Sequence, residues 1–437
     1  MNRPPDAHPR GLCALAAQQS VEAIGGAVPL LQGGRTCTLR LYQGMSQANG
    51  NQGVGYDGGS SIACTGLHSL YGSRPDCTDL LPNALEALAR ISEADLFVVL
   101  TGCPAELIGD DVAGEVRRFR EKGWPVVHAD LAGFSGDAWS GHERLCRALV
   151  DQHVSETFEQ DERLVNLWGP VPYLDPHWEG DLLELSRLLS GLGLVVNPLF
   201  GCGSSVAAWK RIPSAALNLV VSPWLGTALC HHLRERFGTP SLQVAVPPVG
   251  RAATESFLRA VAAVLPVDPL RLDAFLASEE AIFSRFLEKG SDLFLRHDER
   301  APERFHLVAD SYVALGLHRF LACEMGLPAG VVILIDRPRH GREALLELFR
   351  SAGKRAGEIS FADGTDIAEV LRERLSRESG RAIVLGSLWD EPLARELGAA
   401  FLPVSAPLGD LLVLDRSYLG MRGALRLLED LWGAVLS

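Results

Sequence analysis

The chain has 437 residues, 47% hydrophobic and 22% charged, and a formal net charge of −13, which is the make-up of a globular protein with room for about two to four cored domains. Without a basic block, that acidic balance excludes nucleic acid and an anionic membrane as bulk partners. No uninterrupted apolar run is long enough to span a bilayer, and Met1–Arg10 is polar and Pro-rich with no signal-type apolar region, so a cytoplasmic protein is expected.

In chain order, Gly26-Ala27-Val28-Pro29-Leu30-Leu31 reads as a short apolar strand running into the Gly-rich turn Gln32-Gly33-Gly34-Arg35-Thr36, with Cys37 at its tip. Gly44–Ser61, rich in Gly, Asn, Gln and Ser, reads as a long irregular loop that closes on Ile62-Ala63-Cys64-Thr65. A helix at Ala84–Ile91 precedes Asp95-Leu96-Phe97-Val98-Val99-Leu100, the pattern of a strand buried on both faces of a parallel sheet. That strand delivers Cys103 to a turn. Asp110 and Asp111 then open the helix Val112–Lys122, because carboxylates accept its unpaired N–H groups and complement its dipole. Cys103 is therefore expected just past the carboxyl end of a strand, where open α/β sheets place ligands. Trp124–Asp130 is the next strand, followed by the loop Leu131–Gly136 and a helix at Asp137–Val150.

A second alternation carries strands at Leu164–Trp168, Leu194–Leu199, Leu217–Ser222 and Leu242–Pro247, and long helices at Arg251–Leu265 and Pro269–Glu299. A third begins at Phe305–Asp310, runs through strands Gly330–Ile335, Glu358–Phe361, Ala382–Gly386 and Phe401–Val404, and closes on the helix Leu419–Leu436. Strands alternating with helices in this way predict an α/β fold of three Rossmann-like domains with mostly parallel sheets, at 1–160, 161–300 and 301–437.

Nine cysteines, an odd number widely spaced in a large chain, do not make a disulfide framework. Cys37, Cys64 and Cys103, separated by 27 and 39 residues, fall in the first domain, each beside Gly or Thr at a strand or loop end. Iron–sulfur clusters are held by thiolates, and Gly neighbours let the backbone approach such a cluster. Buried structural thiols are the competing reading, which spacing alone leaves open. No Cys-x-x-Cys pair supports a zinc ribbon or a local ferredoxin motif. Three thiols also fall one short of a private four-iron cluster, which points to a site shared across a subunit interface. Cys13, Cys77, Cys146, Cys202, Cys230 and Cys323 read as core or surface thiols. Cys202, after a strand and a Gly turn, is the best fourth candidate among them. His231 and His232, adjacent on a helix, point to different sides and do not make a ligand pair. The chain has no phosphate-binding loop, no Gly-x-Gly-x-x-Gly opening a helix after the first strand, and no Gly-x-Ser-x-Gly elbow.

At these residues the chain resembles the nitrogenase component 1 superfamily, and its β-type subunit more than its α-type. Gly26–Cys37 is similar to the family segment ending in the first cluster cysteine. Thr101-Gly102-Cys103-Pro104-Ala105-Glu106-Leu107-Ile108-Gly109-Asp110-Asp111 resembles the third-cysteine segment and is the most specific match, while Cys64-Thr65 with Leu70-Tyr71-Gly72-Ser73 resembles the middle one. Weaker echoes at Ser222-Pro223-Trp224 and Asp415–Glu429 extend the likeness over nearly the whole chain.

The resemblance implies the nitrogenase component 1 fold and an α-type partner in an α2β2 heterotetramer. It further implies an interface iron–sulfur cluster, eight-iron (a P-cluster) or four-iron, with Cys37, Cys64 and Cys103 as this chain's ligands. Through it an ATP-dependent iron protein would pass electrons to a metallocofactor on the α-type subunit. In true nitrogenase the β subunit carries a serine near the cluster; here Gly133 stands at that position. That departure favours a nitrogenase-like oxidoreductase such as methylthio-alkane reductase over dinitrogen reduction. The alternative is the β-type half of the scaffold on which the nitrogenase cofactor matures.

Overall fold

A computed structural model describes residues 10, 12–48, 63–67, 79–154, 159–338, 340–409 and 411–437. Cys77 and the segment Leu70–Ser73 lie outside them. Three sheets succeed one another along the chain. The first contains β1 (Ala27–Gln32), β2 (Ala63–Cys64), β3 (Leu96–Thr101) and β4 (Val126–Asp130), in the order β2-β1-β3-β4. The second contains β5 (Asp161–Trp168), β6 (Val195–Asn197), β7 (Ala215–Val220) and β8 (Ser241–Gln243), in the order β6-β5-β7-β8. The third, β11-β10-β9-β12-β13, is built from β9 (Arg304–Ala309), β10 (Ala329–Leu334), β11 (Glu358–Phe361), β12 (Ala382–Gly386) and β13 (Ala400–Pro403).

Every strand pairing in the three sheets is parallel. The cause lies in composition. β1 and β3 are buried at all six positions, which only a sheet covered by helices on both faces allows. No helix among the described residues is long and apolar enough to cross a membrane.

Register aligns the carboxyl ends of the first sheet. Leu31 pairs with Cys64, Gln32 with Thr101, and Thr101 with Asp130. The chain leaves β1 toward β2 on one side and returns to β3 on the other, so the β1–β3 junction is the point where strand order reverses. Crevices at such points are where α/β sheets hold ligands.

Two local expectations are corrected. Cys37 lies in the first turn of the helix Arg35–Ala48 rather than at the tip of a turn. Past Gly33-Gly34 the stretch has no Pro and only Gly44 as a breaker, so Leu, Arg, Gln and Met carry the helix onward. The loop expected from Gly44 is therefore helical over 44–48, and the rest of it lies outside the described residues. The turn expected after Cys103 is the short helix Cys103–Ile108, which ends at Gly109 with a positive φ of 70°. Asp111 does cap the following helix, Val112–Glu121, accepting from Gly114 N at 2.9 Å. Asp110 instead accepts from Gln32 Nε2 at 2.6 Å, which ties the end of β1 to the segment after β3.

The helix Ala138–His153 follows β4 and braces the N-terminal segment so closely that a Cβ on Gly141 would lie 2.2 Å from the Ala14 carbonyl oxygen. Inside it, His142 is buried, with Nδ1 2.8 Å from Ser20 Oγ, and burial pushes its pKa from 6.5 down to about 4. The unfolded chain binds this proton more readily, so the neutral imidazole contributes stability above pH 6.5 that is lost as pH falls through about 4. Over that window wild type should lose about 3 kcal/mol more than His142→Gln in denaturant titrations; parallel stability-against-pH curves for the two would refute the assignment.

Candidate metal centre

The carboxyl edge of the first sheet gathers the cysteines. β1 runs through Gly33-Gly34 into the helix bearing Cys37, β2 ends on Cys64, and β3 passes through Gly102 to Cys103. Gly102 is needed for packing. A Cβ there would sit 3.1 Å from both the Gln32 carbonyl oxygen and Leu31 Cδ1, in the seam between β1 and β3. Thr65, after Cys64, is held by its N–H to the Leu31 carbonyl at 3.0 Å, and its hydroxyl accepts from Gly33 N at 3.3 Å. The three expected residues are thus brought to one edge by three parallel strands. All are free thiols of intermediate burial.

The structure adds Cys13 to this group. Its flanking residues are pinned to the segment after β4 by Ala14 N to the Gly136 carbonyl at 2.9 Å and by Ala138 N to the Leu12 carbonyl at 2.8 Å. Burial pushes the Cys37 thiol up, and Cys103, Cys13 and Cys64 add to the rise, while Arg40 opposes it. Three thiols close enough to disfavour the ionisation of Cys37 make, with it, a donor set whose effect a bound cation would reverse. Backbone N–H donation completes it, from Gly133 N to Cys103 Sγ at 3.0 Å. Among the described residues no three His, Cys, Asp or Glu side chains are placed to hold a single metal ion. Thiols that receive backbone N–H hydrogen bonds are the donor set that iron–sulfur clusters take.

Cys202, the fourth candidate by sequence, lies elsewhere, in a crevice with Leu167, Glu179 and Ser186. Cys146 and Cys230 are buried in helices, with thiols pushed up by burial, and Cys323 is exposed. His231 and His232 turn to separate carboxylates, Glu235 at 3.5 Å and Asp151 at 2.6 Å. Cys13 escapes sequence reasoning because nothing around it predicts a strand end.

In the segments that carry Cys37, Cys103 and Gly133, Leu39, Leu107, Ile108 and Phe134 are exposed, at 57%, 72%, 39% and 61%. Each stands within five residues of Cys37, Cys103 or Gly133 in the sequence. Exposed apolar side chains that form one patch mark an interaction surface. A cleft of about 550 Å³ opens nearby and takes residues that follow all three sheets, including Glu143, Arg144, Trp224, Gln243, Arg337 and His340. Behind it Trp224 Nε1 donates to Asp336 Oδ2 at 2.7 Å. The Asp336 and Asp310 carboxyls are pushed up by burial, and Asp310 also by Asp336.

The chain is similar to a subunit of the light-independent protochlorophyllide reductase of Methylobacterium radiotolerans, at 27% identity over 338 residues, covering 76% of this chain and 60% of that protein. The corresponding protein of Halorhodospira halophila, which carries the same name, is 26% identical, covering 76% of this chain and 61% of that one. The chain thus spans about three-fifths of the length of these curated relatives. A solved structure, nitrogenase Cp1 at pH 6.5, superposes with a TM-score of 0.81 at 16% identity, over 100% of this chain and 94% of that one, and so shares its fold. The nitrogenase component 1 type oxidoreductase family matches residues 13–436, beginning at Cys13 and taking in Cys37, Cys64 and Cys103; the chain belongs to that family.

Proposed function

We propose that the chain is the β-type subunit of a nitrogenase-like two-component reductase, with Cys37, Cys64 and Cys103 as its ligands to an iron–sulfur centre shared with an α-type subunit. The observation that carries this reading is the convergence of the three thiols on one sheet edge, at the strand-order reversal, with exposed apolar residues close to them in the chain. Exposed apolar side chains are what a partner subunit would cover, and a partner's thiols would supply the ligands this chain lacks. When bound, the centre supplies one-electron transfer. This chain's residues would hold it, with the Gly133 N–H donating to the Cys103 sulfur, and would keep water from it once the partner is docked. The electron donor in this reading is an ATP-dependent iron protein, the partner's metallocofactor is the acceptor, and the assembly is α2β2.

For substrate, the relatives' names bring protochlorophyllide to this chain, beside the methylthio-alkanes that the sequence resemblance favours. The test is anaerobic co-purification with the α-type partner, iron analysis and EPR, then an ATP-dependent assay with the iron protein on methylthio-alkanes, protochlorophyllide and dinitrogen. Iron–sulfur signals with turnover of one of them support the reductase and identify its substrate. Signals without turnover of any would move the assignment to the β-type half of a cofactor-assembly scaffold.

A further inference from the structure

Gly133 has no backbone reason to be glycine, because its φ is not positive. Its reason is the sulfurs. A Cβ built on it would lie 3.0 Å from Cys13 Sγ, 3.1 Å from Cys103 Sγ and 3.4 Å from Cys13 Cβ. Both thiols therefore border the space a side chain would fill, no farther apart than the first two of those distances together. Contacts of that length are tighter than nine in ten that a Cβ makes, so even alanine at 133 would need the sulfurs to give way by a few tenths of an ångström.

Cys13 is also fixed in place. The hydrogen bonds on either side of it clamp the segment against 136–138, and Ala16 N donates to the Cys13 carbonyl at 2.9 Å as the following helical turn begins. Its thiol stays exposed, open to the same edge as the other three. We propose that Cys13 is a fourth sulfur ligand from this chain, bound beside Cys103 in the space that Gly133 leaves empty. The inference rests on the iron–sulfur reading above and extends its ligand set.

Ligation involves no electron transfer. The Cys13 thiol gives its proton to solvent, its sulfur lone pair forms the S–Fe bond, and a water on that iron leaves. A fourth thiolate adds negative charge to the centre, which favours its oxidised form and lowers its reduction potential.

The test uses the full chain in its anaerobic complex with the α-type partner, with Cys13→Ala, Cys13→Ser and Gly133→Ala compared with wild type by iron content, EPR, Mössbauer spectroscopy and redox titration. The expected result is a changed spectrum of one iron site and a raised midpoint potential in Cys13→Ala. Cys13→Ser, which keeps a smaller and harder anionic donor, should change the spectrum of the same iron site without raising the potential. Gly133→Ala should perturb the same site. The proposal is overturned if Cys13→Ala and Cys13→Ser match wild type in iron, spectrum and potential. A wild-type complex that contains no iron would instead overturn the iron–sulfur reading itself, so the two failures are distinguishable.

Discussion

Cys103→Ala should strip the complex of iron while leaving the isolated chain folded. Cys103 opens a short helix at the end of β3 and is only partly buried, so losing its sulfur removes little packing. As a ligand its loss is severe. Changes to groups that merely orient metal ligands cost about tenfold to hundredfold in metal affinity, and removing a ligand should cost at least that. The Gly133 N–H aimed at Cys103 Sγ would also lose its acceptor. Iron per complex and the yield of the α-type partner on co-purification should both fall, with an unchanged circular dichroism spectrum. Full iron occupancy in the variant would remove Cys103 from the ligand set. Cys323→Ser, an exposed thiol not among those acting on Cys37, is the control that should keep wild-type iron.

The second large effect is expected three residues before Cys13. Arg10 reaches from the N-terminal segment to the third sheet, where Nη2 lies 2.5 Å from Asp390 Oδ1 and the guanidinium stacks 4.9 Å from the Trp389 ring. Its own N–H donates to Asp363 Oδ1 at 2.6 Å. Both charged side chains are nearly inaccessible, 6% and 3% exposed. Burial raises the Asp390 carboxyl above the usual carboxylate range, and the Arg10 guanidinium is the first influence opposing it. Removing one partner of such a pair strands the other, at a cost of about 3–5 kcal/mol. Arg10→Ala should accordingly lower the melting transition by about 4 °C, and Arg10→Ala with Asp390→Ala should recover part of the loss, because no carboxylate is then left unpaired. A melting curve for Arg10→Ala that overlays wild type would show that the pair contributes nothing. The segment carrying Cys13 is latched by this pair, so the same variant should also loosen the thiol.

What the sequence by itself determined is the scaffold and where on it the three cysteines of the proposed site fall. β1 and β3 are legible because a six-residue apolar run can be satisfied only by a strand covered on both faces, and Asp111 is legible because a carboxylate before a helix has an immediate local use. Cys64 and Cys103 are legible because their Thr and Gly neighbours mark strand ends, and Cys37 because it follows the Gly-rich turn that ends β1. The short partner strand β2, two residues long, offers almost no periodicity to read, yet its register against Leu31 is what sets Cys64 beside the others.

Only the tertiary structure decided which further residues share that edge. Cys13 reaches it through a pairing with Asp137, a contact between segments far apart in the sequence. The exposure of Leu39, Leu107, Ile108 and Phe134 depends on which helix faces are left uncovered, which their own periodicity does not state. The buried trio Asn166, Asn197 and Asn218, on neighbouring strands of the second sheet, is equally invisible in the sequence. Asn197 Nδ2 donates to Asn166 Oδ1, and Asn166 Nδ2 to Asn218 Oδ1, each at 2.9 Å. A polar residue in an apolar strand looks like an error until the sheet supplies its partners. The physical reason is common to all three cases: strand and cap formation is decided by residues a few positions apart, whereas a site assembled at a sheet edge depends on strand order and register, which bring together groups that no local pattern connects.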